Sequence, residues 1–435
     1  MATTYLNKTY SGAGNRSKWT LSVWLKRSKL GAENPIFSCI PSGSFETFCG
    51  FASDNKLVFK QKNDGGSTGE YVTSRKFQDV SGWYNFVFVY DKDNATPGDR
   101  GIIYVNGVRE TAFDTESNFS DSSTWNGTNE MWIGRATSSY FDGYMSYINF
   151  IDGTVYDASA FGETDSNGVW KIKTSPSVTY GTNGFLILKD GNTITDSSAN
   201  TNNWTLGGGT LTDDKDSPSN VFATLNTLNP NTNGEHSFSN GNTVFTNSSD
   251  GNHVMTCSTL AGYSGKYYAE VKVTELGSTY PQIGVIDPNL FLFTTYLGAA
   301  GRGYGYLSNG NKQFNNSATS FGNTYTTGDI IGIAMDLDNS KLYFSKNGTW
   351  ENSGVPTSGS TGTGSAFDLA TGTCYSFGQS SYDNGTDPVY SWNFGNGYFG
   401  TAAISSAGTN ASNNGVFEYD VPTGYTALCT KGLNE

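Results

Sequence analysis

Apolar and polar residues along this chain alternate mostly with a period of two, which is the pattern of a half-buried strand rather than a helix. The clearest stretch is Thr327–Gly348, TGDIIGIAMDLDNSKLYFSKNG. Two short strands, IIGIAMDL and KLYFSK, are joined by a turn at Asp338–Asn339–Ser340 and closed by Asn347–Gly348. Asp and Asn favour such turns because their short side chains bond the local backbone and tolerate left-handed φ. Ile331, Ile333 and Met335 fall on one face, so a sandwich core takes that face. A looser echo stands in the first half: Trp83–Tyr90 (WYNFVFVY), then Asp91, then Gly101–Gly107 (GIIYVNG). Two β-sandwich domains in series follow from this pairing.

The remaining alternation fills in both domains. Trp19–Arg27 places Leu21, Val23 and Leu25 on one face, and short strands follow at Ile36–Cys39, Phe45–Ala52 and Lys56–Gln61. Glu130–Gly134 and Gly143–Ile151 complete the first set, and Phe185–Leu188 returns as a further strand. Asp157–Phe161 is the best helix candidate, a single turn capped by Asp157. In the second half Gly265–Val273 sets Tyr267, Ala269, Val271 and Val273 on one face. Gln282–Ile286, Gly303–Tyr306, Cys374–Gly378 and Tyr390–Gly395 follow it, after a polar, hairpin-like Ser237–Leu260. Thr212–Gly234, rich in Asp, Ser, Thr, Asn and Pro, reads as a linker between domains at 1–211 and 235–435.

Composition agrees with an all-β, antiparallel, jelly-roll architecture. Of the 435 residues 14% are aromatic and only 15% charged, and 54 are glycine, a balance suited to pleated strands and many turns. The net charge of −13 argues against sequence-independent nucleic-acid binding. Met1–Tyr10 lacks the charged start and apolar run of a secretory signal, and no apolar stretch is long enough to span a bilayer. Cys39, Cys49, Cys257, Cys374 and Cys429 are scattered with no C-x-x-C, which points to buried free thiols, with a Cys39–Cys49 hairpin bridge as the alternative. The stretch before Glu33 holds Lys8, Arg16, Lys18, Lys26, Arg27 and Lys29 and no acid. It reads either as a solvated strand pair or as a docking face for an acidic partner, in which Lys8, Arg16 and Lys18 dock and the acidic second half projects.

The order WYNFVFVYD, IIYVNG, IGR, FDGYMSYINFIDG across Trp19–Gly153 resembles the concanavalin A-like, laminin-G-type jelly roll. KYYAEVKV, IGV, YGY, GDIIGIAMDLD and LYFSKNG, over about residues 235–400, resemble a SPRY domain. A long Gly/Ser/Thr insertion, Val355–Ala366, departs from the usual SPRY pattern. Phe161–Trp170, Tyr180–Leu186, Asp196–Trp204, Asp216–Asn226 and Phe417–Leu428 together look like a recurring arrangement in virion structural proteins of tailed bacteriophages. That resemblance implies a virion surface protein made in the host cytoplasm: a tail fibre, a head decoration or a baseplate-like adaptor. The partners it implies are other virion proteins, further copies of the chain, and host polysaccharide. A fibre needs a trimerising stalk, and no heptad or β-helical repeat is visible.

The chemistry of turnover is hard to find. Glucanases of the jelly-roll fold carry Glu-x-Asp-x-x-Glu on one strand, and that spacing is missing. Asp336 and Asp338 belong to a strand and its turn, while Glu270 and Glu275, an odd number apart, cannot share a face of one regular strand. His236 and His253 sit in polar stretches with no nucleophile motif beside them. The expectation is therefore a binding protein without enzymatic activity and without a cofactor; the competing readings are a jelly-roll depolymerase and a cellular SPRY adaptor. The laminin-G resemblance admits a structural calcium on Asp91, Asp93, Asp142 or Asp152, though no dedicated spacing is present. Candidate glycan contacts are aromatics in polar turns, Trp125, Tyr296, Tyr304, Trp350 and Tyr382, whose ring faces stack on sugar CH groups.

Overall fold

The computed structural model describes residues 3–43, 45–63, 69–189, 191–228, 235–249, 251–277, 281–290, 295–299, 301 and 303–434. The chain divides into two compact units, Met1–Asp213 and Asp214–Glu435. Among the described residues the sheets are antiparallel apart from one parallel pairing, of Thr426–Ala427 with Lys266–Glu275, and helix is confined to short 3-10 turns.

In the first unit one sheet orders Phe113–Ser117, Gly69–Lys76, Lys56–Lys62, Phe45–Phe51, Asn34–Ser42, Met131–Ile133, Tyr5–Lys8 and Thr205–Gly208. The other orders Phe185–Ile187, Gly143–Asp152, Lys18–Arg27, Tyr84–Asp91, Gly101–Val105 and Val108–Arg109. Alternation decides the core: Leu21, Val23 and Leu25 join Phe86, Phe88 and Tyr90 from the second sheet, against Phe37, Phe51 and Phe59 from the first. Trp19 stacks on Tyr90 with centroids 5.1 Å apart. The outer face of the six-stranded sheet is also covered. Val87 and Ile151 lie beneath Ala158 and Phe161, which the 3-10 turn Ala158–Ala160 delivers. Asp157 caps that turn by accepting from Ser159 N–H at 2.8 Å, as the sequence suggested.

The basic N-terminal stretch is not a solvated strand pair throughout. Lys26 and Arg27 are 1% and 0% exposed. Arg27 lies over the Phe51 ring at 4.2 Å and donates to Asn55 Oδ1 and Lys29 O, each at 3.1 Å, and to Phe77 O. Five-donor planar guanidinium is well suited to such a site, because it can stack and still be hydrogen-bonded.

In the second unit one sheet runs His236–Ser239, Val244–Asn247, Val389–Asn393, Lys266–Glu275, Ile330–Asp336, Lys341–Lys346 and Thr349–Trp350, with Phe367–Asp368 and Thr426–Ala427 joined to it. The facing sheet runs His253–Cys257, Ser376–Tyr382, Gln282–Ile286, Gly303–Leu307, Asn311–Phe314 and Ser317–Ser320. Ile331, Ile333 and Met335 enter the shared core with Tyr267, Ala269, Val271 and Val273. Ser340 and Asn347 take left-handed φ of 58° and 49°, so both expected reversals form. Ile330–Asp336 is nevertheless buried on both faces. Ala334, Tyr268 and Tyr343 on its outer side pack under Phe417, Val421 and Tyr425, a third layer supplied by the C-terminal segment.

Part of the expected linker belongs to this unit. Phe222, Ala223 and Leu225 are at most 2% exposed. Ala223 N–H donates to Leu428 O at 2.9 Å, and Leu225 N–H to Asn242 O at 2.8 Å. The polar composition of Thr212–Gly234 conceals three apolar residues that pay for their own ordering by burial. Residues 229–234 of that stretch lie outside the described residues.

None of the five cysteines is in a disulfide. Cys39 and Cys49 occupy adjacent strands but not facing positions, since Phe37 pairs with Cys49 and Cys39 with Thr47. Burial pushes the Cys39 thiol up to about 11 and keeps it unreactive.

Candidate functional site

The outer face of the eight-stranded sheet carries the most organised exposed surface of the first unit. Cys39, Cys49, Phe59 and Tyr71 point into the core, so their neighbours Ile40, Phe48, Lys60 and Glu70 point outward. The register aligns the last three into one row across the sheet: Glu70 beside Lys60, Lys60 beside Phe48, Phe48 beside Ser38, Ser38 beside Trp132, and Trp132 beside Asn7. A shallow concavity of about 220 Å³ lies over it, lined by Ile40, Phe48, Val58 and Ala136 and by the charged Glu33, Glu46, Lys60 and Glu70. Lys60 Nζ meets Glu46 Oε2 at 3.1 Å.

At one end stands a small hairpin in which Arg135 pairs with Tyr140 and Ala136 with Ser139. The Arg135 guanidinium lies 4.6 Å from the centroids of both Tyr5 and Trp132, and 5.9 Å from that of Tyr140. All four residues are half-buried. Backbone fixes the cluster: Ser38 Oγ donates to Arg135 O at 2.7 Å, and Arg135 Nε donates to Thr137 O at 3.2 Å. Tyr5 is seated on Gly207 and Gly208, where an added Cβ would come within 2.3 Å and 2.9 Å of its ring. Sequence reasoning passed over these residues. The signal was present in MWIGR, because Met131 and Ile133 are core and the intervening Trp132 must face out.

The five aromatics expected to meet glycan have different fates. Trp125 is fully buried, packed edge-on against Phe37 at 4.9 Å. Its polar loop turns inward: Thr124 N–H and Thr124 Oγ bond to Thr47 Oγ1 and Cys39 O, and Asn126 Nδ2 donates to Asp152 Oδ1 at 2.7 Å. Tyr304 is 6% exposed and stacks on Phe314 at 4.4 Å, in the core of the second unit. Neither can stack on a sugar. Trp350 is half-buried and folds back against Tyr268 and Tyr343. Tyr296 and Tyr382 each meet His253, with ring centroids at 5.3 Å and 4.9 Å, and Tyr296 OH donates to Asn316 Oδ1 at 2.8 Å. Burial holds His253 below the usual imidazole range.

The docking candidates are engaged within their own sandwich. Lys8 Nζ donates to Asn203 O at 2.8 Å and lies over the Tyr10 ring. Arg16 Nε donates to Ser123 O at 2.6 Å, and Lys18 pairs with Asp91 at 3.2 Å. Candidate calcium donors do not converge either. Asp152 accepts from Asn15 N–H, Asn126 Nδ2 and Asn183 N–H at 2.7, 2.7 and 3.0 Å, and Asp93 pairs with Lys92 at 2.5 Å. Burial raises Asp142, which disfavours its anionic form. Among the described residues no three His, Cys, Asp or Glu side chains are grouped to hold a metal ion.

Residues 3–159 match the family model of the concanavalin A-like lectin/glucanases superfamily. Residues 266–386 match that of the SPRY domain. The chain therefore carries a concanavalin A-like domain followed by a SPRY domain. It is 31% identical over 103 residues to the Ran-binding proteins 9/10 homolog of Drosophila melanogaster, covering 23% of this chain and 11% of that protein. It is 38% identical over 91 residues to the ATP-dependent RNA helicase DDX1 of Xenopus laevis, covering 21% and 12%. The chain thus spans little more than a tenth of the length of these curated relatives. Among solved structures, the SPRY domain of human HERC1 is similar with a TM-score of 0.29 at 16% identity, over 34% of this chain and 87% of that one. A putative carbohydrate binding protein from Bacteroides ovatus gives 0.31 at 16%, over 49% and 58%. At such identities and scores the likeness carries no function.

Proposed function

We propose that this chain is a non-enzymatic surface protein of a tailed-bacteriophage virion, a tail fibre or head decoration, that contacts other virion proteins and attaches to host surface glycans. The observation that carries the adhesion reading is the outward row on the eight-stranded sheet. Along it the half-buried Trp132, Asn7, Lys60 and Glu70 stand on rigid strands and offer an aromatic face, an amide and charges, which suits stacking on sugar faces and reading of hydroxyls. Carboxylates in the same concavity give the depolymerase reading its one support. Glu46 and Glu70, however, stand on strands separated by Lys56–Lys62, roughly 10 Å apart by strand spacing alone, and Lys60 neutralises Glu46. Glycosidic pairs work at about 5–9.5 Å with one acid held protonated. The virion assignment is supported by the resemblance of the segments flanking both sandwiches to phage structural proteins.

The full chain is to be tested against immobilised bacterial surface polysaccharides, with reducing ends assayed in the same wells. Retention without release of reducing ends is expected. Release that disappears in Glu46→Gln or Glu70→Gln would establish the depolymerase instead. Immuno-electron microscopy of particles is expected to label the virion surface, and unlabelled particles would remove the virion reading.

A further inference from the structure

We infer that Arg135 and the aromatic residues around it form a site for the oxyanion of an acidic saccharide. This rests on the glycan-adhesion reading and names the sugar class. Arg135 spends only its Nε on the protein, at Thr137 O. Its terminal nitrogens make neither hydrogen bond nor ion pair among the described residues and are not buried. Tyr5 and Trp132 hold its plane, and each of them sits on a strand, so the fork is orientated before any ligand arrives. A planar fork with unspent donors matches a carboxylate or phosphate through paired N–H···O bonds. The aromatic surroundings lower local solvation and strengthen such bonds.

The neighbouring concavity restricts the ligand further. Ala136 and Thr137, next to Arg135 in sequence, line it together with Glu33, Glu46 and Glu70. Only Lys60 there offsets the three acids, so a polymer charged at every sugar would be repelled along that face. A saccharide with spaced acids fits: one oxyanion on Arg135 and neutral sugars over the half-buried Ile40 and Val58.

The experiment titrates the full chain with hyaluronan oligosaccharides, whose uronates alternate with neutral sugars. Polygalacturonate, poly(glycerol phosphate) and neutral dextran are titrated in parallel. Hyaluronan oligosaccharides are expected to bind better than polygalacturonate, and their binding should weaken as salt is raised. Competition by poly(glycerol phosphate) would assign the oxyanion to phosphate, and its failure to compete would assign it to carboxylate. Arg135→Gln is expected to weaken the binding about tenfold or more, the scale of a lost charge-assisted pair. Arg135→Lys keeps the charge without the fork and is expected to fall between; it also serves if Arg135→Gln lowers the melting temperature. Acidic-glycan binding unchanged in both variants, or binding of dextran alone, would overturn this site while leaving adhesion intact. Failure of every polysaccharide, including those of the host surface, would remove the adhesion reading and this site with it.

Discussion

Glu270 is fully buried in the strand Lys266–Glu275, yet it accepts from Glu418 N–H at 2.8 Å, Tyr419 N–H at 2.9 Å, Tyr268 OH at 3.1 Å and Asn393 Nδ2 at 3.3 Å. Burial opposes the charge more strongly than these donors favour it, and the pKa is pushed up to about 7 from 4.5. The folded state therefore holds a proton that the unfolded chain releases between those values. Its contribution is fully present below pH 4.5 and is lost as pH rises toward 7. Glu270→Gln should flatten the slope of denaturation free energy against pH in that window. It should also cost about 1–3 kcal/mol at pH 8, because its amide faces backbone N–H groups and leaves one unpaired. An unchanged slope would refute this assignment of the proton. Trp125 makes the opposite point about reading single residues. A tryptophan in SSTWNGTN looks exposed because its neighbours are polar, but those neighbours bond inward to Thr47, Cys39 and Asp152. Trp125→Ala should destabilise the first unit by about 3–5 kcal/mol, measured by chemical denaturation. Full stability together with lost glycan retention would restore it as a contact residue.

Strand positions were legible because alternation and turn chemistry act locally. Leu21, Val23 and Leu25 face the core together, and the Asn347–Gly348 reversal forms where expected. The third layer was not legible. Nothing local to IIGIAMDL says which segment covers its second face, although Ile330 and Ala334 between the core positions hinted that both faces are apolar. The cover comes from Phe417, Val421 and Tyr425, distant in sequence, with Tyr425 OH donating to Pro356 O at 3.0 Å in the Gly/Ser/Thr insertion. The first unit uses the same device, with Phe161 over Val87 and Ile151. The covering segment is thus an integral part of the fold. Phe417→Ala combined with Tyr425→Ala should expose that face, raising binding of a hydrophobic dye and lowering stability by several kcal/mol, about 3–5 for each ring removed. Unchanged dye binding and melting would show the segment to be dispensable. The candidate site was half legible by the same logic. Trp132 is forced outward by Met131 and Ile133, but its meeting with Tyr5 and Arg135 depends on register across strands far apart in sequence.

At the scale of the chain, each unit has its own pair of sheets and its own cores, which is the condition for folding alone. By composition residues 212–234 read wholly as a linker. Phe222 shows why that matters. Its ring fills the space over Gly395, where an added Cβ would come within 2.5 Å, and Gly395 takes a φ of +114° to allow the approach. Leu225 N–H and Asn226 N–H continue the attachment to Asn242 O and Cys257 O. A fragment beginning at residue 235 loses Phe222, Ala223 and Leu225 together, and losing the two large side chains, Phe222 and Leu225, costs about 2–5 kcal/mol each. That sum approaches the ~5–15 kcal/mol stability of an ordinary domain. Fragments 1–213 and 214–435 are therefore expected to be soluble, β-rich by circular dichroism and cooperative in denaturation. Fragment 235–435 is expected to melt far lower or to aggregate. Equal stability of the 214–435 and 235–435 fragments would return residues 214–228 to the linker, and failure of both longer fragments to fold would show the two units to be interdependent.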